Sequence, residues 1–196
     1  MASLKVNRGR TLARSQALQI LFQAEVRGES VADVLAGDFT LSKGPLADYA
    51  VEIARGVDAN RERIDSALRA VSANWSLERM PGADRNLLRI AVYEMRFLTD
   101  EEVSDAIVIN EAVELAKAYG TDQSASFVNG VLGKIARSEE LPGEDLYQEL
   151  LAEDRAREEA QAAEAAAKVA AAQAAAGVLA EDADAAGAVE ADSVEE

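Results

Sequence analysis

A chain of 196 residues carrying a formal net charge of −16 has room for one domain and an extension. It contains no Cys and no His, which excludes disulfides, thiolate or imidazole metal sites and every Cys/His or Ser/His catalytic arrangement. An enzyme would be left with carboxylate, Lys or Tyr chemistry, and neither GxGxxG nor GxxxxGK(S/T) occurs. No window approaches the roughly 18 to 20 apolar residues of a membrane span, and the N-terminus lacks the apolar run of a secretory signal. The expectation is a cytoplasmic protein with no cofactor, no metal and no membrane partner.

The acidity is not evenly spread. Residues 1–138 sum to −2 and residues 139–196 to −14, so the low pI does not argue against a nucleic-acid partner. Lys5, Arg8, Arg10 and Arg14 stand in the first 23 residues with no acidic residue among them. In RGRTLARSQALQILFQ, from Arg8 to Gln23, a helix puts Ala13, Ala17, Ile20, Leu21 and Ala24 on one stripe that must face a core. Arg10 and Arg14 fall off that stripe about one turn apart, roughly 6 Å along the axis. One face of the helix is expected to anchor a core and another to offer guanidinium groups to a polyanion.

Beyond this helix the body reads as helix after helix. Gly28 suits a left-handed C-cap, and Ser30 followed by Asp33 marks the start of a short helix through Leu35. Gly37 to Pro45 is a connection. Leu46, Tyr49, Ala50, Ile53, Ala54 and Val57 repeat at helical spacing, as do Ile64, Leu68 and Val71 after a break near Asp58. Trp75 reads as a core residue rather than a binding platform. In RMPGADRNLLRIAVYEMRFL, Asp84 is placed to cap a helix whose stripe is Leu87, Leu88, Ala91, Val92 and Met95, with Arg85, Arg89 and Arg96 on other faces. Past an acidic link at 100–102, Ser104 or Asp105 caps a helix with Ile109, Ala112, Val113 and Ala116 in repeat, ended by Gly120. Phe127, Val128, Val131, Leu132 and Ile135 make the last helix of the body. Nothing alternates with period two for long enough to be a strand. The fold class expected is all-α, about seven helices in two small bundles sharing a core, with residues 1–138 as the domain and 139–196 as its tail.

The blocks RxxARSQALQILFQAE, MPxxDRNLLRIAVYEM, VINEAVELAKAYGTDQS and FVNGVLGKIA, in this order from about Arg8 to Arg137, resemble the NusB family of bacterial transcription antitermination factors. The same fold resembles the N-terminal domain of a family of ribosomal RNA cytosine methyltransferases, whose Cys nucleophile is missing from this chain. The resemblance implies two three-helix bundles and a non-enzymatic, RNA-binding role. It also implies recognition of the boxA element of ribosomal RNA operons together with NusE, a small-subunit ribosomal protein, and action on elongating RNA polymerase. Both monomers and homodimers occur among such proteins, and the sequence leaves that open.

Recognition of single-stranded RNA asks for cations along the phosphates and planar groups for exposed bases. Arg10 and Arg14 match the arginine-rich motif of the family, although Thr11 and Leu12 thin the arginine run seen in some members. Phe22 stands where the family often has Tyr and can stack without donating a hydroxyl hydrogen bond. Asp84 and Arg85 match positions near RNA and NusE in the family; a helix cap and a solvated Arg are the equal alternative. Arg89 extends the cationic track or pairs with an acid. Tyr119 and Phe127 flank the loop between the last two body helices, where the resemblance places RNA, Phe127 being favoured for the core. The candidate RNA-binding set is therefore Lys5, Arg8, Arg10, Arg14, Phe22, Asp84, Arg85, Arg89, Tyr119 and Phe127. Three or four working cations would give a log–log salt slope of about −2 to −3, modest binding that a protein partner would strengthen. Glu111 and Glu114 read as solvated.

The tail is rich in Ala and Glu and poor in residues to bury, so an isolated helix from Gly143 to Ala176 and disorder beyond Gly177 are expected. It reads as a solubilising segment, or as one whose charge competes with RNA for the basic edge. A purely protein-binding helical adaptor is the alternative to the RNA-binding reading.

Overall fold

The computed structural model describes residues 8–72, 76–98 and 103–190, with side chains to residue 169. Lys5, Trp75 and the acidic link at 100–102 lie outside the described residues. Eight α-helices follow in order among the described residues: α1 (Gly9–Arg27), α2 (Val31–Ala36), α3 (Asp48–Ala59), α4 (Arg61–Val71), α5 (Gly82–Arg96), α6 (Asp105–Tyr119), α7 (Ser124–Arg137) and α8 (Glu144–Glu190), with one 3-10 turn at Leu77–Arg79. The chain divides into two units, Met1–Tyr147 and Gln148–Glu196.

The local signals act as expected at the first two boundaries. Gly28 closes α1 in the left-handed region at φ 66°, its N–H returning to Ala24 and Glu25, and the Ser30 hydroxyl accepts from the Asp33 N–H to start α2. The apolar stripe of α1 is buried in full, from Ala13 to Ala24. Helices α1, α2 and α3 pack on one another as one bundle, and α5, α6 and α7 as a second, with α4 against α5 and α7. The second bundle meets the first where α5 lies on both α1 and α3. Because α5 is enclosed on several sides, Leu87, Leu88, Ile90, Ala91 and Val92 are all buried, each large aliphatic side chain contributing about 1.5–3 kcal/mol of transfer free energy.

Three predictions of phase and capping shift on contact with the fold. In α6 the buried positions are Val108, Ala112, Leu115 and Ala116, not the register of Ile109 and Val113; AIVI and AVEL run apolar on adjacent positions, so packing against α5 and α7 chooses the face. Asp84 is the third residue of α5 and makes no N-cap; its buried carboxylate accepts from Ser124 Oγ at 2.8 Å. Ser104 is the N-cap residue of α6 without a side-chain cap bond, and Asp105 pairs with Arg96 at 3.1 Å.

The connection between α2 and α3 is strapped to α1 by three glutamines on one side of that helix. Gln16 donates to the carbonyls of Lys43 and Pro45 at 3.0 and 2.8 Å and accepts from the Ala47 N–H at 3.0 Å. Gln19 accepts from the Ser42 N–H at 2.7 Å, and Gln23 both accepts from and donates to the Thr40 backbone at 3.0 Å. These bonds satisfy loop backbone groups that would otherwise be costly to cover.

The first unit extends past the expected boundary at 138. Leu141 packs against the core, and Gly143, at φ 77°, lies so close to α4 that a Cβ there would stand 2.5 Å from the Ser66 carbonyl oxygen. Arg63 of α4 pairs with Glu144 at 2.9 Å, and its guanidinium lies 5.4 Å from the Phe97 ring centroid and 5.7 Å from that of Tyr147. A purely acidic tail would not dock; these few residues supply an apolar anchor and an ion pair. Disorder is predicted past Gly177, whereas α8 continues to Glu190, the alanines carrying helix propensity across the glycines.

Candidate nucleic-acid interface

Arg10 and Arg14, read alike in the sequence, part company in the fold. Arg10 is exposed, its guanidinium 5.2 Å from the Tyr49 ring centroid. Arg14 is 3 % exposed. Its Nε donates to both oxygens of Glu94 at 3.0 and 2.9 Å, Nη1 reaches Glu111 at 3.3 Å, and Tyr49 donates its hydroxyl to Glu94 at 2.5 Å. Burial opposes the Arg14 charge, but the hydrogen bond and charge of Glu94 outweigh it and hold the guanidinium protonated. The same surroundings, burial first and then the bond to Glu94, push the Tyr49 phenol well above its usual range. This corrects the expectation for Arg14: its sector of α1 faces the junction of α3, α5 and α6, not solvent. Glu111, expected in solvent, also accepts from Thr11 at 2.5 Å, while Glu114 pairs with Lys117 at 2.7 Å.

Arg85 and Arg89 are likewise drawn inward. Arg85 pairs with Glu25 and donates to the carbonyls of Leu77 and Met80 at 2.9 and 3.0 Å. Arg89 is buried, bidentate to Asp65 at 2.8 Å through Nε and Nη2 and joined to Glu25 at 3.0 Å. Asn86 completes the cluster at 3.1 Å from Glu25. Burial alone raises the Glu25 carboxyl, yet the bond from Arg85, its charge and then Asn86 and Arg89 hold it below the usual carboxylate range. A continuous cationic track over Arg85 and Arg89 is therefore not present; both serve the packing of α5 against α1 and α4.

The remaining candidates form an exposed face. Gln19, Phe22 and Val26 follow the outward side of α1 at helical spacing, with Phe22 and Val26 exposed; Arg8, the extended N-cap residue of α1, is exposed at its N-terminal end. Phe22 is 45 % exposed and Tyr119 38 %. The Phe22 ring lies against the first residue of α5, 3.0 Å from where a Cβ on Gly82 would be. Leu18, Phe22, Ala83 and Tyr119 line a mainly apolar cleft of about 410 Å³, with the Tyr119 hydroxyl held by Ser15 at 2.5 Å. Across the start of α5 lies a second cleft of about 490 Å³, lined by Pro81, Asp84, Ser124 and Phe127 among others. Phe127 is half-buried, packed against the core and open to that cleft. The N-cap residues of α1, α5 and α7 make no side-chain cap bond; the first turn of α5 carries the Asp84 carboxylate, and the Ser124 N–H at the start of α7 donates to the Thr121 carbonyl at 3.0 Å. Among the described residues, no group of three His, Cys, Asp or Glu side chains converges on a metal position.

Tyr49 was read only as part of an apolar stripe, and Glu94 and the Glu25 hub were not singled out in the sequence. A signal for one of them exists in AVYEM: a lone acid within a wholly apolar stretch of a central helix must find a cation, and Glu94 finds Arg14.

The NusB family profile matches residues 11–137. A transcription antitermination protein NusB from Bdellovibrio bacteriovorus is 48 % identical over 130 residues, covering 66 % of this chain and 96 % of that protein. The solved structure of NusB from T. maritima superposes with a TM-score of 0.58 at 34 % identity, covering 71 % of this chain and 98 % of the other. A crystal structure of the antitermination factors NusB and NusE in complex with dsRNA matches with a TM-score of 0.52 at 28 % identity, over 64 % of this chain and 93 % of that one. With its all-helical architecture, the matched profile and relatives spanned almost end to end, the chain belongs to the NusB family.

Proposed function

We propose that the chain is an RNA-binding antitermination factor of ribosomal RNA operons, binding the boxA element with NusE and acting on elongating RNA polymerase. The observation that carries this reading is the exposed face on which Phe22, the Tyr119 ring and Ala83 at the start of α5 line one cleft, on the helix whose N-terminal end bears Arg8 and Arg10. Stacking surfaces beside cations and helix N-termini are what a ribonucleotide strand needs. The NusB structure solved with NusE and dsRNA supports both partners. Phosphates would be met by Lys5, Arg8 and Arg10 and bases by Phe22, Tyr119 and Phe127, while Asp84, buried and bonded by Ser124, would hold the start of α5 beside α7.

The test is a titration of a fluorescein-labelled, boxA-containing single-stranded RNA, with and without NusE, over a series of salt concentrations. With phosphates assigned to Lys5, Arg8 and Arg10, the log–log slope should be about −2. The Arg8→Ala/Arg10→Ala double variant should flatten it to below about −1, and Phe22→Ala should cost about 1–3 kcal/mol of affinity by the loss of one stacked base. Wild-type affinity and slope in both variants would remove the RNA reading and leave the helical adaptor.

A further inference from the structure

We propose that Tyr49 is a positioning residue for Arg10: a ring on α3 that holds the guanidinium of α1 in place for a phosphate, braced from beneath by the buried Arg14–Glu94 pair. This rests on the RNA-binding reading above and adds to it a residue outside the arginine-bearing helix. The Tyr49 ring is approached by two guanidinium carbons, Arg10 at 5.2 Å and Arg14 at 5.9 Å from its centroid. Its hydroxyl is fixed on Glu94 Oε1 at 2.5 Å. Glu94 is itself held by two bonds from Arg14 Nε and by Arg14 Nη2 at 2.8 Å, and its side chain is 1 % exposed. The hydroxyl bond fixes the far end of the ring on a carboxylate that the buried Arg14 holds.

The consequence is mechanical. Ordering an arginine side chain on a ligand costs about 0.5–1.5 kcal/mol. A fixed aromatic face removes part of that cost before the ligand arrives, and it suits the flat guanidinium better than an ammonium. The division of labour between two arginines of one motif follows: Arg14 is the brace, and Arg10 is the group that reaches the polyanion.

The experiment uses the full chain and a fluorescein-labelled single-stranded RNA oligonucleotide carrying boxA, with four variants: Arg10→Ala, Arg10→Lys, Tyr49→Phe and Tyr49→Leu. Arg10→Lys keeps the charge and loses the planar stack, so its affinity should fall by about two- to fivefold, the size of an exposed cation–π contact, and so should that of Tyr49→Leu. Tyr49→Phe keeps the ring and loses the hydroxyl anchor on Glu94, so its affinity should fall between those of Tyr49→Leu and wild type. Tyr49→Leu combined with Arg10→Ala should bind no more weakly than Arg10→Ala alone. Ring-current shifts of the Arg10 side-chain protons report the stack without RNA; they should shrink in Tyr49→Phe and vanish in Tyr49→Leu. Weakened binding by Arg10→Ala, with Arg10→Lys and Tyr49→Leu both like wild type, overturns the role of Tyr49 and spares the RNA reading. Wild-type binding by Arg10→Ala itself overturns the assignment of Arg10 to RNA and this proposal with it. Should Tyr49→Leu fail to fold, Arg10→Lys and the ring-current shifts decide alone.

Discussion

Replacing Glu94 by Gln removes one charge from the pair that locks α1 to α5 while keeping its shape. The wild-type carboxylate is 1 % exposed, receives Arg14 Nε on both oxygens and accepts the Tyr49 hydroxyl. Two unit charges about 4 Å apart attract by about 4 kcal/mol at an effective dielectric near 20, and breaking a buried pair on one side costs about 3–5 kcal/mol because the other charge stays stranded. Glu111 at 3.3 Å, its side chain 20 % exposed, recovers part of this. The expected loss is about 3 kcal/mol, or roughly 10 °C in Tm for a unit of this size, read by thermal melts and urea unfolding followed by circular dichroism. Replacing the pair together, as Arg14→Met/Glu94→Leu, should restore most of the stability, since a buried pair is often matched by apolar residues of similar volume. That double variant should also keep the wild-type salt slope for RNA, because Arg14 neutralises no phosphate. A melt within a few degrees of wild type for Glu94→Gln, or a slope shallower by about 0.7 for the double variant, would refute the structural reading of Arg14.

Three further outcomes are expected. Glu25 has a folded-state pKa held below its unfolded value of 4.5, so its stabilisation is complete above that value and disappears as pH falls through the lower, folded one; Glu25→Gln should be less stable at neutral pH and show a shallower acid limb in urea unfolding, and an unchanged limb would count against the hub. Gly143→Ala places a Cβ at φ 77° and 2.5 Å from the Ser66 carbonyl oxygen, at a cost of about 1–3 kcal/mol, and should loosen the segment on α4, seen as faster amide exchange there; wild-type protection would contradict the contact. A chain ending at Tyr147 sheds −10 of the −16 charge and keeps the Arg63 contacts, so its Tm should match the full chain while a chain ending at Ser138 melts lower; the first should also bind RNA more tightly at low salt only, as electrostatic competition requires, and equal affinity at all salt concentrations would discard that competition.

The resemblance and the periodicity were enough for the family and for the helical class, because one-sided apolar spacing in α1, α3, α4 and α7 leaves a single face to bury. Where apolar residues stand on adjacent positions, as in α6, period alone does not choose the face, and the neighbours α5 and α7 did. Segment 141–147 was read as tail because it follows the break in charge at 138, and only the closeness of Gly143 to Ser66 and the Arg63 cluster fasten it to the body.

Charge was the least legible quantity. Spacing on one helix told that Arg10 and Arg14 lie off the apolar stripe, yet a residue off the stripe faces water only when no other element covers that sector. Helices α3, α5 and α6 cover Arg14, and Glu25 and Asp65 claim Arg85 and Arg89 from sequence distances that no local pattern encodes. By itself the sequence determined which segments are helical, which faces are apolar and to which family the chain belongs. Tertiary structure alone decided which arginines are spent on internal carboxylates and which reach the surface, because ion pairing is set by what the fold brings within about 4 Å, and that distance is not written along the chain.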